Sequence, residues 1–335
     1  LPPGHQGDAF LRPLQVGKTH LPNNVLAAPM CGLTVSPFRH LSRRFGAGLV
    51  CTEMTSSDAL VRARARPLKR LAFTEEDRPV ALQICGSDPN LVGQAVRILT
   101  DLKPDVIDLN LGCPVPKVAG KMSGSGLLKD PDRAVRIAQA AVASAGDIPV
   151  TAKFRLGWDE NSLTYDTVGV RYEAAGIKMI SVHARTRSMQ FSGPPMWEHV
   201  ARLKSLVSIP VIANGEITSG AKAVEVMRLT GADGVMLGRG AVANPWLFEE
   251  VLAAFQGRPY TRPSPAQRIL LLRELRDRVL AFFGVDMGVP FSRSYAGAII
   301  SGWPGAREAR GAYMAAKTPE DQDRVFDGLL AKAAA

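Results

Sequence analysis

Residues 210–216 read Pro-Val-Ile-Ala-Asn-Gly-Glu, and residues 234–239 read Gly-Val-Met-Leu-Gly-Arg. Each stretch is a short apolar run that ends in glycine and a polar or charged residue, which is typical of a buried strand in a parallel sheet. Glycines at such turns let backbone N–H groups approach a phosphate closely. In a (β/α)8 barrel the loops after the last two strands commonly form a phosphate site. These two runs therefore predict a fold and one part of its site.

Six similar runs precede them along the chain. They are Val25–Pro29, Leu49–Thr52, Val80–Ile84, Val106–Asn110, Val150–Phe154 and Met179–His183. Helix-compatible stretches lie between them, such as Asp88–Leu102 and Asp130–Ala145, each opened by a residue that caps helices well. Eight alternating units predict an α/β fold, a closed (β/α)8 TIM barrel, with a doubly wound open sheet as the alternative. No G-x-G-x-x-G follows the first run, which argues against the open dinucleotide-binding sheet.

After Val251 the pattern changes. A break rich in glycine and proline, residues 257–265, is followed by helical patterns alone, including the amphipathic stretch Gln267–Phe283. We therefore predict two domains, a barrel over residues 1–255 and an all-α domain over residues 256–335.

Composition narrows the class of protein. Hydrophobic residues make up 46% of the 335 residues, and no apolar run reaches the roughly 18 residues needed to cross a bilayer. We expect a soluble, cytoplasmic monomer with no membrane or protein partner. The net charge of +10 favours an anionic partner, nucleic acid first, although many enzymes are basic for no specific reason. The four cysteines lack the spacing of a zinc site, and we expect neither a metal nor a disulfide.

Chemistry is expected where barrel strands end. Lys153 and His183 both end apolar strands, and a lysine facing the barrel is costly unless it meets an anion. Together they favour a ligand site, although one such residue alone is more often structural. Arg239, beside Gly238, adds charge-assisted contacts to the predicted phosphate site. The basic stretch Val61–Arg70 follows the second strand and is equally compatible with phosphate contacts and with a solvated loop.

Cys113 follows the fourth strand in Asn110-Leu-Gly-Cys-Pro114. A thiol held between glycine and proline at the barrel mouth could act as a nucleophile or as a proton donor. A buried structural cysteine is the alternative, and Cys31 and Cys85 also lie near strand ends, so position alone does not single out Cys113.

These residues together resemble the tRNA-dihydrouridine synthases, and most of all their bacterial B-type branch. The resemblance runs from Ala27 to about Leu252, and the segment around Cys113 is specific to this family. The other motifs that carry it are Ala27–Met30, Thr52–Met54, Gln83–Ile84, Gly124–Ser125, Lys153–Arg155, His183–Thr186, Asn214–Ile217 and Gly238–Arg239.

The resemblance implies FMN across the barrel mouth, and NADPH or NADH as the reductant. Its isoalloxazine ring is expected against Pro29 and Met30, with Gln83, Lys153 and His183 at its polar edge or ribityl chain. The ribityl and phosphate end is expected among five further residues: Asn214, Gly215, Glu216, Gly238 and Arg239.

The resemblance also implies a substrate and a reaction. The C5–C6 bond of a uridine in tRNA is reduced, with Cys113 as the general acid that protonates C5, Asn110 orienting the base and Arg185 in contact with it. The helical domain is expected to bind the tRNA body. Here the chain departs from the pattern of the B-type branch that it resembles, because Ser292-Arg-Ser-Tyr295 keeps Arg293 alone of an Arg-Lys-His cluster.

Two other functions remain open from the sequence. The first is an FMN-dependent oxidoreductase of a small molecule on the same barrel, which would not show salt-sensitive tRNA binding. The second is a tRNA-binding protein without catalysis, which would have no need of the Cys113 thiol.

Overall fold

The computed structural model describes residues 10–63, 68, 70–120, 122–301 and 305–334. The predicted basic stretch Val61–Arg70 falls largely outside them, because Arg64, Arg66 and Lys69 are not among the described residues.

Eight parallel strands form a closed barrel. They are β1 (Val25–Ala27), β2 (Val50–Cys51), β3 (Val80–Cys85), β4 (Val106–Leu111), β5 (Val150–Arg155), β6 (Ile180–His183), β7 (Val211–Asn214) and β8 (Gly234–Leu237). The strands pair in the order β1-β8-β7-β6-β5-β4-β3-β2. A parallel bridge between Leu26 and Leu49 closes the ring. The predicted (β/α)8 barrel is confirmed, and nearly every strand residue is buried, as the continuous apolar runs require.

A hairpin that the sequence analysis did not predict closes one end of the barrel. Leu14–Val16 pairs antiparallel with Thr19–Leu21 across a turn at Gly17, whose φ is +56°. Leu14, Val16 and Leu21 are buried in one cluster with interior barrel residues such as Val106 and Met179. Because this cluster fills the end where the strands begin, the open end is the one where they finish.

Helices surround the barrel. They are α1 (Ser36–Arg44), α2 (Ser57–Ala63), α3 (Pro89–Thr100), α4 (Pro131–Ser144), α5 (Tyr165–Ala174), α6 (Trp197–Leu206), α7 (Gly220–Thr230) and α8 (Leu247–Phe255). The two predicted caps are confirmed: the Asp88 carboxylate accepts from the N–H groups of Asn90 and Leu91, and that of Asp130 accepts from Arg133.

Four helices form the tail: α9 (Pro265–Phe283), α10 (Val285–Ile299), α11 (Ala306–Ala315) and α12 (Pro319–Ala334). Ser264 and Gln267 form a reciprocal capping box at the start of α9. One hydrophobic cluster includes core residues of both the barrel and the tail. The division into domains at residues 255 and 256 therefore stays a prediction, although α8 does end at Phe255.

The tail packs against the β1 side of the barrel. The Tyr295 ring on α10 stacks on Phe38 of α1 with ring centroids 5.6 Å apart, and its hydroxyl donates to the carbonyl of Leu33. Arg44 of α1 binds the Glu274 carboxylate of α9 at 2.7 Å. These contacts place the tail beside the loop that follows β1.

Candidate active site

A cavity of about 660 Å³ opens where the barrel strands end. Its size suits a cofactor or a small substrate. The lining includes every residue that the sequence analysis assigned to the cofactor, and also Asn110, Cys113 and Arg185. Strand ends converge because the strands are parallel, which explains why positions distant in sequence meet here.

Lys153 is buried in the wall of this cavity. Its Nζ donates to Oδ1 of Asn214 at 2.9 Å, and Nδ2 of Asn214 donates to the carbonyl of Met236 at 2.8 Å. Burial and the nearby charge of Arg155 lower the pKa of Lys153 to about 8. The Lys153 ammonium therefore lies in a place where a bound anion would stabilise its charge.

His183 experiences the same positive field. Burial lowers its pKa well below the usual value, and the charges of Arg155, Lys153, Arg185 and Arg239 lower it further. His183 is therefore neutral at pH 7 and able to donate one hydrogen bond and accept another. Within the described part of the chain its ring has no hydrogen-bond partner.

Arg155 connects two loops of the cavity mouth. Its Nε donates to the carbonyl of Gly112 at 2.9 Å, and its Nη1 donates to those of Thr186 at 2.8 Å and Gln190 at 2.6 Å. Burial lowers the pKa of Arg155 to about 10, as does the charge of Arg185, while Cys113 acts in the opposite direction. The guanidinium thus fixes the Cys113 turn relative to the loop after β6.

The Cys113 turn is held by hydrogen bonds to the protein itself. Oδ1 of Asn110 accepts from the N–H groups of Gly112 and Cys113, at 3.1 and 3.0 Å. The carbonyl of Cys113 accepts from the Ser125 hydroxyl at 2.8 Å. Cys113 is partly buried and lines the cavity. Asn110 therefore orients the turn that carries the thiol, a role that the sequence analysis did not assign to it.

A polar chain supports Asn110 from below. Its Nδ2 donates to Oε1 of Gln83 at 2.8 Å, and Nε2 of Gln83 donates to Asp108 at 2.7 Å. Thr151 donates to the other carboxylate oxygen of Asp108 at 2.7 Å. Burial raises the pKa of Asp108, and these two hydrogen bonds counteract that rise. Gln83 is accordingly fixed in one orientation beside the cavity.

The loops after β7 and β8 form the opposite wall. Gly215 has a φ of +134° and a Cβ there would lie 3.2 Å from the His183 ring, so the position requires glycine. Glu216, also at positive φ, binds Arg185, whose guanidinium donates to the Gly193 carbonyl as well. Arg239 lies 4.2 Å from the ring centroid of Phe191.

The structure separates one predicted site residue from the rest. Arg293 lies on α10 in the tail, where its Nη2 donates to the carbonyl of Ala316 at 2.8 Å, and it does not line the cavity. The sequence analysis also missed Arg155 and Phe191 as site residues. Arg155 belongs to the motif Lys153–Arg155, which could have indicated its role. For Phe191, the signal in the sequence was a single aromatic residue within the loop Met189–Gly193.

The remaining cysteines differ in environment. Cys31 is exposed and lines the cavity, whereas Cys51 and Cys85 are buried. Burial raises the pKa of Cys85 to about 11. In the described residues no group of three His, Cys, Asp or Glu side chains forms a metal site. No described helix combines the length and apolar content that crossing a membrane requires.

Comparison with known proteins gives one family. The family model described as dihydrouridine synthase matches residues 25–334. The chain is 40% identical over 301 residues to a "Probable tRNA-dihydrouridine synthase" from Rickettsia conorii, with 89% of this chain and 91% of that protein covered. It is also 40% identical over 300 residues to tRNA-dihydrouridine synthase B from Pseudomonas aeruginosa, with 89% and 90% covered.

Solved structures resemble the chain in fold. Histamine dehydrogenase from a Rhizobium species aligns with a TM-score of 0.55 at 13% identity, over 86% of this chain and 51% of that one. The old yellow enzyme homologue from Zymomonas mobilis aligns with a TM-score of 0.51 at 12% identity, over 75% and 93%. At such identities the likeness concerns the barrel and carries no assignment of substrate.

Proposed function

The chain belongs to the dihydrouridine synthase family, and from that premise we propose that it reduces the C5–C6 double bond of a uridine in tRNA. FMN is the proposed cofactor, NADPH or NADH its reductant, and Cys113 the general acid. The observation that carries the proposal is a single cavity that brings a thiol on a rigid turn and a wall of cationic side chains together.

The cavity residues fit a flavin mononucleotide. Lys153 has two further N–H donors beyond its bond to Asn214, and the described part of the chain gives its neighbour His183 no hydrogen-bond partner. Arg239 and the glycine turns at Gly215 and Gly238 supply charge and close backbone approach for a phosphate. Pro29 and Met30 offer an apolar surface for a planar ring. Bound there in its reduced form, FMN would supply the hydride that C6 of the uracil accepts.

Cys113 would complete the reduction. Its S–H proton would pass to C5, the carbon next to the one that receives the hydride. The thiolate would then recover a proton from solvent. Both transfers need groups fixed at close range, and the bonds from Asn110 and Ser125 to the turn supply that fixation.

The uridine would enter from the mouth. It has to leave its stack to reach the cavity. Most donors of Arg185 are used by Gly193 and Glu216, so we assign its remaining Nη1 to the uracil edge. We propose that Asn110 orients the base indirectly, by holding the turn that carries Cys113. We propose that Arg293, which lies on the tail, contacts the tRNA body.

Purification with flavin analysis and a tRNA reaction tests this function. We expect a yellow protein that converts uridine to dihydrouridine in unmodified tRNA when NADPH is added. Cys113→Ala should retain the flavin and lose about 10²- to 10⁴-fold in rate, which is the usual contribution of a general acid. Cys51→Ala is the matched control, since that thiol is buried away from the cavity lining. Unchanged product yield in Cys113→Ala would remove the thiol from the mechanism.

A further inference from the structure

Two cations share one indole ring among the segments that follow the barrel strands. Nζ of Lys129 lies 3.6 Å from the ring centroid of Trp158, and Cζ of Arg187 lies 4.4 Å from it. The three residues come from the segments that follow β4, β5 and β6. We call Lys129, Trp158 and Arg187 the Trp158 cluster. Cation–π contacts hold both long side chains in place although Lys129 is exposed.

No carboxylate neutralises this cluster within the described residues. The nearest acids in sequence are engaged elsewhere: Asp130 caps α4 and pairs with Arg133, and Asp159 accepts from Asn161 and Ser162 of its own turn. Nε of Arg187 is buried and has no hydrogen-bond partner among the described residues. Two like charges on one ring, with a donor unused, favour an anion that the protein does not supply.

The cluster lies across the mouth from the tail. In the closed order of strands, β5 is opposite β1, and the tail contacts the loop after β1 through Tyr295 and Leu33. Arg187 also contributes to the positive field at Arg155, which lines the cavity. A polyanion held by the tail and reaching into the cavity would therefore pass over the Trp158 cluster on the far rim.

We propose that the Trp158 cluster binds a backbone phosphate of the RNA beside the uridine that enters the cavity. This proposal rests on the proposed function and names a contact that positions the RNA on the rim opposite the tail. Trp158 is the platform that holds Lys129 and Arg187 at a fixed separation, and both cations donate to the same phosphate. The contact is to the backbone, so it adds affinity without selecting sequence.

Salt-dependent tRNA binding by the full-length protein tests the proposal. Unmodified tRNA transcript is titrated at several salt concentrations with wild type and with the double variant Lys129→Gln, Arg187→Gln. Loss of one phosphate contact should weaken binding roughly tenfold at low salt and reduce the slope of log Kd against log salt by about 1. The charge-keeping double variant Lys129→Arg, Arg187→Lys should retain most of that slope.

Arg228→Gln is the matched control. Its guanidinium also lies over an aromatic ring, 5.9 Å from the centroid of Phe10, but it is in the last turn of α7, at the barrel end away from the mouth. We expect its slope to equal that of wild type. If the Lys129, Arg187 double variant had the wild-type slope while wild type formed dihydrouridine, the phosphate contact at the Trp158 cluster would be refuted and the proposed function would not be affected. Wild type that binds tRNA but forms no dihydrouridine would instead refute the function.

Discussion

Lys153 lowers the folding stability of the protein without cofactor. Its pKa falls from the ordinary 10.5 to about 8 in the folded state, so at pH 7 its buried charge costs up to about 3 kcal/mol. Lys153→Met should therefore raise the free energy of unfolding of the cofactor-free protein at pH 7. We expect a gain of about 1–2 kcal/mol, which is less than the full cost of the charge because the Asn214 side chain loses its hydrogen-bond donor. Urea unfolding of the two proteins at pH 7 measures it.

The pH dependence of that difference has a definite sign. Between pH 8 and 10.5 the unfolded chain holds a proton on Lys153 that the folded chain has lost, so wild-type stability gains with pH from this residue. The advantage of Lys153→Met should shrink over this window and reverse above it, because neutral Lys153 still donates to Asn214 and methionine cannot. Lys178→Met, an exposed lysine, provides the control. A difference that grew with pH would contradict the assigned cause.

At the scale of residues, the sequence predicts the site residues that lie near the ends of barrel strands. Lys153 and His183 were predictable because a polar residue near the end of an apolar barrel strand favours a ligand site at the barrel mouth. Arg155 was missed as a site residue because its role depends on carbonyls of Gly112, Thr186 and Gln190, which come from two other loops. Loop conformation follows no periodicity, so such contacts are invisible until the loops are folded.

At the scale of elements, a buried ion pair fastens α1 to the barrel. Nε of Arg39 lies 2.9 Å from Oδ1 of Asp77, both side chains are almost fully buried, and Arg39 also donates to the carbonyls of Thr34 and Ala72. Without Arg39, the buried Asp77 carboxylate would keep its hydrogen bonds from the Ser36 hydroxyl and the Thr74 N–H but would lose its guanidinium partner. Arg39→Met should cost about 3–5 kcal/mol of unfolding free energy, measured by urea denaturation.

The double variant Arg39→Met, Asp77→Leu separates the two contributions. With both charges removed, no carboxylate is left buried without its guanidinium partner, so we expect the double variant to be more stable than Arg39→Met alone. Arg62→Met is the control, because its pair with Asp58 is exposed and is expected to contribute less than about 1 kcal/mol. A double variant as unstable as the sum of both single variants would contradict this interpretation.

The strands were predictable as elements and the hairpin was not. Eight apolar runs bounded by Gly, Pro or Asp carry the barrel signal repeatedly, whereas Leu14–Val16 and Thr19–Leu21 have three residues each. Barrel strands β1 and β2 are at least as short, but they belong to a pattern repeated eight times, whereas the two hairpin strands precede that pattern and are not repeated. The burial of the hairpin strands depends on the barrel interior that they cover, which is a tertiary effect.

At the scale of the molecule, the net charge of +10 favours an anionic partner but does not indicate where that partner binds. Several tail arginines are used inside the tail, since Arg273 and Arg276 bind Asp323 and Arg278 binds Glu274. These arginines are therefore less available to an anionic partner than unpaired ones would be. Lys129 and Arg187, which look unremarkable in sequence, have no carboxylate partner among the described residues and lie over one indole ring.

Tyr295 connects the tail to the barrel and should control how the two unfold. Its buried ring contacts Phe291 of the tail and Phe38 of α1, and its hydroxyl binds the Leu33 carbonyl. Because one hydrophobic cluster runs through both parts, wild type should unfold in a single thermal transition. Tyr295→Ala should cost about 3–5 kcal/mol, mostly at this junction, and allow the tail to unfold first. Circular dichroism should then show two steps.

Limited proteolysis gives that prediction a second and independent measurement. Below the main transition, trypsin should cleave the tail of Tyr295→Ala and leave a resistant fragment that ends near the connection between α8 and α9, whereas wild type stays intact. Tyr172→Ala is the matched control, because that buried tyrosine donates to Ala134 inside the barrel layer. It should lower one shared transition without releasing the tail. If Tyr295→Ala behaved in the same way, contacts other than this ring would stabilise the junction. The Arg44–Glu274 ion pair would then be the next contact to remove.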